Sequence, residues 1–212
     1  DDISQGKLNA VRSIQAGFER RLPESVKLAR QALDQLPEDQ LFFRQITGWN
    51  LSAALFLSGK EHESIEVLED VARISLASGN RMVAVVALCR LGGIQIQQGD
   101  LYSAHHFYQR ALAIASEDRE KPMPVASEAL IGLGKIQWEW YQFENAYPML
   151  VDGLALSKFW RAVSSIEGHI TLAHLQASQG QIDGSARSIA KAKEITSLHL
   201  LTDTGKQYVD LH

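Results

Sequence analysis

The chain has 212 residues, 45% of them hydrophobic and 22% charged, an ordinary globular composition. Its formal charge of −4 argues against this segment being the part that grips nucleic acid, because phosphate binding wants a basic surface. One cysteine, Cys89, excludes an intramolecular disulfide framework and fits a reducing cytoplasm, and no run approaches the roughly 18 apolar residues of a membrane span. The start, DDISQGKLNA, has neither the charged-then-apolar pattern of a secretory signal nor an initiator methionine, so a cytoplasmic segment of a longer or processed chain is expected.

Taken in order, the chain reads as helix pairs. The first pair covers about 3–38, with a helix from Ile3 to Arg20 and a second from Pro23 to Leu36. Pro23 stands where a helix start tolerates a missing N–H, and Pro37 ends the run. The second pair, 39–79, opens at Asp39, a predicted N-cap. It runs through Trp49, Leu51 and Leu55 to Gly59, then carries Ile65, Leu68, Val71 and Ala72 on one face. The third pair, 80–118, contains LCRLGGIQIQQGDLYSAHHFYQRALAIA. Its skeleton is Leu88, Leu91, Gly92, Gly99, Ala104, Tyr108 and Ala111, the large-and-small alternation of a tetratricopeptide repeat. Gly92 and Ala104 are expected to let two helix backbones approach, and Gly99 to stop the first helix in a left-handed turn.

A linker, Glu117 to Pro124, precedes the fourth pair at 123–158. Here Leu130, Leu133 and Gly134 keep the register, Tyr141 takes the place of the stopping glycine, and Pro148 falls inside the second helix. The fifth pair, 160–198, is followed by 199–212, expected to be a truncated or capping helix. The small residues that open each second helix, Ser25, Ser64, Ala104, Ala146 and Ser185, are separated by 39, 40, 42 and 39 positions. With no alternation of period two, the expected fold is all-α, a single domain forming a tetratricopeptide-like right-handed superhelix of about five antiparallel helix pairs.

No catalytic or metal set emerges. Gly59-Lys60 is followed by Glu61, where a phosphate loop needs Ser or Thr. His105 and His106 point about 100° apart on a helix, and His169 and His174 are also poorly spaced for one ion. Cys89 reads as a small buried side chain. What the repeat supplies is a concave wall made by the first helix of each pair. The inward positions select Trp49, Asn50 and Phe56, then Arg90 and Gln97, then Glu128, Lys135, Trp138 and Glu139, and finally Thr171 and His174. Two readings stand: aromatics and charges hold a polar ligand, or the tryptophans pack the repeat and the charges are a solvated face.

With those residues in place, the chain resembles the helical-repeat region of MalT-type, LuxR-family transcriptional activators, most closely from Leu41 to Ile195. The echoes are LFFRQITGWNLSAALFLSGKEHESIEVLEDV, the third pair, and EALIGLGKIQWEWYQFENAYPMLVDGLALSKFW. The resemblance implies a non-catalytic sensor module in a bacterial regulator. It implies as partners a small-molecule inducer or a regulatory protein and the other domains of the parent, with ATP bound in a separate domain and no cofactor in this segment. The alternative is a generic tetratricopeptide scaffold that binds a peptide or helix. Neither reading calls for a membrane or for direct nucleic-acid contact by this segment. Apolar residues near the end, Leu200, Leu201, Val209 and Leu211, raise self-association as a further expectation.

Overall fold

The computed structural model of the chain describes residues 1–117, 120–160 and 162–198. These form ten helices and no strand: α1 (Asp2–Phe18), α2 (Leu22–Gln35), α3 (Leu41–Leu57), α4 (Glu61–Ala77), α5 (Arg81–Gln97), α6 (Leu101–Ser116), α7 (Ala126–Glu139), α8 (Phe143–Ser157), α9 (Ala162–Ser178) and α10 (Ile182–Leu198). The all-α, tetratricopeptide-like expectation holds. The expected capping helix at 199–212 and its four apolar residues lie outside the described residues.

The helices gather into two compact units that divide within α5, between Ile94 and Gln95. In the first unit α1 packs on α2 and α3, α2 on α3, and α3 on α4. Its core holds Ala29, Leu51 and Leu55, with Val26, Leu33 and Val67 against them. In the second unit α7 packs on α6, α8 and α9, α8 on α9, and α9 on α10. Its main core holds Ile131, Ala146, Leu150, Leu154, Leu172 and Leu175, flanked by Trp138 and Phe143.

One turn, repeated five times, makes the pairs. At Arg20, Gly59, Gly99, Tyr141 and Gly180 the backbone is left-handed, with φ between 57° and 79°. The next residue then donates its N–H to a carbonyl five positions back: Arg21 to Ala16, Lys60 to Leu55, Asp100 to Gln95, Gln142 to Gln137 and Gln181 to Gln176, all at 2.8–2.9 Å. That bond satisfies a carbonyl orphaned at the end of one helix, and the donor residue is also the one from which the next helix starts. Glycine suits three of these positions because it has no Cβ to clash. Arg20 and Tyr141 do the same work at a cost of about 1–2 kcal/mol each. The sequence places Tyr141 in the glycine's slot, and its φ of 57° shows that it adopts the glycine's conformation.

The small register residues sit where the helices of a pair come closest. Ser25, Ser64, Ala104 and Ala146 are buried, and Ser185 is half-buried. A buried serine needs a partner for its hydroxyl. Ser25 donates to the Ser13 carbonyl and Ser64 to the Ser52 carbonyl, each at 2.9 Å and each twelve residues back. The fourth pair replaces this hydroxyl bridge with Gly134 facing Ala146. A Cβ on Gly134 would lie 3.3 Å from the Ala146 carbonyl oxygen, so alanine and glycine close the gap by absence of bulk.

Two local expectations change. Asp39 is not the cap of α3: the N-cap is Gln40, without a side-chain bond, and the Asp39 carbonyl instead accepts from the Leu41 N–H. Side-chain capping is supplied by Asp1 and Asp100, which accept from the Ser4 and Ser103 N–H groups at 2.7 and 3.0 Å. Pro148 lies inside α8, which runs unbroken from Phe143 to Ser157.

Candidate functional site

The first compact unit contains a groove of about 570 Å³ built from α1, α3 and α5, the first helices of their pairs. A helix of this kind buries one stripe against its own partner and leaves another for whatever lies in front. Phe18 on α1, Phe42, Trp49 and Leu57 on α3, and Met82 on α5 are the large side chains lining it. Phe18 is 86% exposed, Phe42 67% and Leu57 63%, which makes this a solvent-facing apolar surface and not unfinished core. None of the lining residues is charged.

The groove's side-chain amides are already engaged. Asn50 donates through Nδ2 to the hydroxyls of Ser13 and Ser25, both at 3.2 Å. Gln45 donates to the Ser78 hydroxyl at 3.1 Å and accepts from Asn80 Nδ2 at 3.0 Å, while Asn80 Oδ1 accepts from the Val83 N–H. These bonds tie α3 to its neighbours and leave ring and aliphatic surface as what the groove offers. The volume lies within the range of small-ligand and side-chain pockets.

Of the residues singled out from the sequence, Trp49 and Asn50 line this groove, and Arg90 and Gln97, further along α5, are exposed and do not. Phe56 is half-buried on α3. In the second unit Lys135, Trp138 and His174 make contacts between α7 and α9. The Trp138 ring lies 5.3 Å from that of His174, and its Nε1–H donates to Ser178 at 3.2 Å. Lys135 Nζ sits 3.8 Å from a Glu167 carboxylate oxygen, and Glu128 accepts from Trp160 Nε1–H at 2.6 Å. Thr171 is buried and donates to the Glu167 carbonyl, and Glu139 is exposed. Every one of these polar groups apart from Glu139 therefore has a partner in place. Phe18, Phe42, Leu57 and Met82 were not singled out from the sequence. Their only signal was apolar character on first helices, which core residues share.

The histidines divide between different surroundings. His105 stacks at 5.2 Å on Trp140, His106 lies near Phe107, and no cluster of three metal-ligating side chains occurs among the described residues. Cys89 is buried, as expected. Gly59 forms the turn after α3, and Lys60 pairs with Glu63 at 3.3 Å.

His169, on α9, carries a buried Nδ1 that meets no hydrogen-bond partner among the described residues. Burial holds its pKa below the usual histidine value, with Lys191 and Lys158 adding to the depression and Glu194 opposing it. Burial also lowers His105. A histidine depressed in the folded state takes up protons more readily when unfolded, so stability is full above its ordinary pKa and falls as pH drops below about 6.5. Urea unfolding at pH 7.5 and 5.5 should show lower stability at the acidic value, and His169→Leu should shrink the difference. An unchanged difference would remove His169 as a source.

Comparison with known proteins fits this geometry. The family model for the MalT-like TPR region matches residues 6–203. Solved structures with a similar backbone include the putative kinesin light chain nearly identical TPR-like repeats of Podosopora anserina, at 16% identity and a TM-score of 0.65, covering 94% of this chain and 98% of that one. Aspartyl phosphate phosphatase F from Bacillus subtilis gives 13% identity and a TM-score of 0.69 over 92% of this chain and 60% of that one. A Rap protein complexed with Competence and Sporulation Factor gives 15% and 0.64 over 93% and 60%. At such identities these structures establish the helical-repeat fold.

Proposed function

The chain belongs to the family of MalT-like tetratricopeptide regions, and on that premise we propose that it is the non-catalytic, effector-binding segment of a bacterial LuxR-family regulator. The observation that carries the proposal is the uncharged apolar groove between α1, α3 and α5. Such a surface favours an effector that presents apolar side chains, as a regulatory protein or peptide does, over a sugar or a charged metabolite. Burying a charge there would cost several kcal/mol with no partner to offset it. Effector binding acts only through its difference in affinity between resting and active forms of the parent protein. Structural likeness to a Rap protein that is complexed with a named factor supports a binding role for such repeats.

A generic scaffold would use the same groove. The two readings part on what the gene encodes around this segment: a P-loop ATPase before it and a helix-turn-helix after it support the regulator. Neither domain being present would leave the scaffold.

The groove itself is tested in the parent regulator by Phe18→Ser and Met82→Ser, followed by promoter response and by melting temperature. Phe18 is 86% exposed and Met82 45%, so the melting temperature should stay within a few degrees. Response to effector should shift by about tenfold or more, as expected for aromatic or apolar anchors at the centre of an interface. A normal response in both variants would sink the groove assignment.

A further inference from the structure

A second exposed surface lies in the second compact unit, where the first turn of α6 meets the end of α7. Tyr102, in the first turn of α6, packs its ring 5.3 Å from Trp140 at the end of α7, and the His105 ring lies 5.2 Å from the same tryptophan, both tilted against it. Tyr141 follows directly, with its ring 6.0 Å from Phe143. Tyr102 is 81% exposed and Tyr141 82%. Neither tyrosine is hidden in a core, so burial does not explain them. Tyr141 moreover holds a left-handed backbone that glycine adopts in three of the other four turns. A left-handed tyrosine whose side chain gains little burial points to a role in what it displays.

The charged residues nearest these rings along the chain are acidic. Asp100 stands two residues before Tyr102, Glu139 immediately before Trp140, and Glu144 three after Tyr141, all exposed. Asp100 is held ionised below the usual carboxylate range by hydrogen bonds from the Ser103 hydroxyl and N–H. Neither Leu91–Gln109 nor Ile136–Ser157 contains a lysine or arginine. His105, with its pKa lowered by burial, is neutral near pH 7 and does not oppose a cation.

We propose that Tyr102, Trp140 and Tyr141, with the carboxylates of Glu139 and Glu144 and the negative charge of the Asp100 cap, form a docking surface for an arginine-bearing segment of a partner protein. Guanidinium groups stack on aromatic faces and pair with carboxylates in the same contact, which lysine does less well. Its elements belong to the second compact unit, whereas those of the apolar groove belong to the first.

The probe is an alternating arginine–glycine peptide, compared with its lysine and citrulline counterparts, titrated against the full chain. The arginine peptide should bind most tightly, the citrulline peptide at least tenfold more weakly. Tyr102→Ser combined with Tyr141→Gly should weaken arginine-peptide binding at least tenfold without lowering the melting temperature, because glycine relieves the left-handed backbone. Glu139→Gln with Glu144→Gln should weaken it too, whereas Glu66→Gln with Glu69→Gln, an equal loss of charge on α4, should not. Binding unaffected by the tyrosine changes, equal loss in both charge pairs, or no arginine-peptide binding at all would each overturn the proposal.

Discussion

Replacing Leu150 with alanine should lower the unfolding free energy of the chain by about 3 kcal/mol or more. Leu150 is fully buried on α8, in the cluster that joins Ile131, Ala146, Leu154, Leu172 and Leu175. Truncation removes apolar surface and leaves a cavity between α7, α8 and α9 that rigid helices fill only in part. The neighbouring Gly134 makes the experiment sharper. A Cβ placed there would lie 2.7 Å from Leu150 Cγ and 2.9 Å from Cδ2, so Gly134→Ala alone overpacks the site. In the Leu150→Ala background that space is vacated, and the added methyl partly refills it. The double variant should therefore be more stable than the sum of the two single changes, by about 1 kcal/mol in a double-mutant cycle. Urea unfolding of the four proteins measures this directly. Additive effects would mean that the two positions do not share the cavity.

The frame was legible because its requirements are residue-specific. A left-handed turn selects glycine, and a close helix crossing selects Ser, Ala or Gly, so both leave marks at a fixed spacing. Even the exceptions could be read: Tyr141 was identified by position alone, and its φ agrees. Arg20 performs the same turn and went unnoticed, because an arginine near a helix end has many ordinary explanations. Pair-to-pair contacts were harder. Tyr108 was legible as part of the repeat skeleton, but not that its ring covers Gly132 on α7, the first helix of the next pair.

The site was less legible, for a physical reason. Phe18, Phe42 and Met82 obey the same apolar periodicity as core residues, and only the three-dimensional packing decides which stripe is covered. Position on the first helix selected Trp49 and Asn50, and both line the groove. It could not reveal that the Asn50 amide is committed to Ser13 and Ser25, nor that Lys135 and Glu128 already face Glu167 and Trp160. Those partners lie 25 or more positions away in the chain, beyond the reach of any local pattern. A polar wall inferred from residue type thus becomes, in the first unit, an apolar groove whose polar groups serve the scaffold.

Gly132→Ala should destabilise the chain by about 2 kcal/mol, although alanine is intrinsically the better helix former by about 1 kcal/mol. The added Cβ would lie 2.3 Å from Tyr108 Cζ and 2.5 and 2.6 Å from its two Cε atoms. Near-equal distances to the two Cε atoms place the methyl over the ring face, where a small rotation of the ring gives no relief. Tyr108 is only 6% exposed, so the ring has little free space to enter and α6 must move from α7 instead. The clash falls between the second helix of one pair and the first helix of the next, the interface through which adjacent repeats stabilise each other. Its cost should therefore appear as faster amide exchange in both α6 and α7. Tyr108→Leu in the same chain should return part of the lost stability by removing the ring, at the price of its own cavity. If Gly132→Ala proved stabilising, helix propensity would outweigh the crossing, and the close approach of α6 and α7 would not be what this glycine provides.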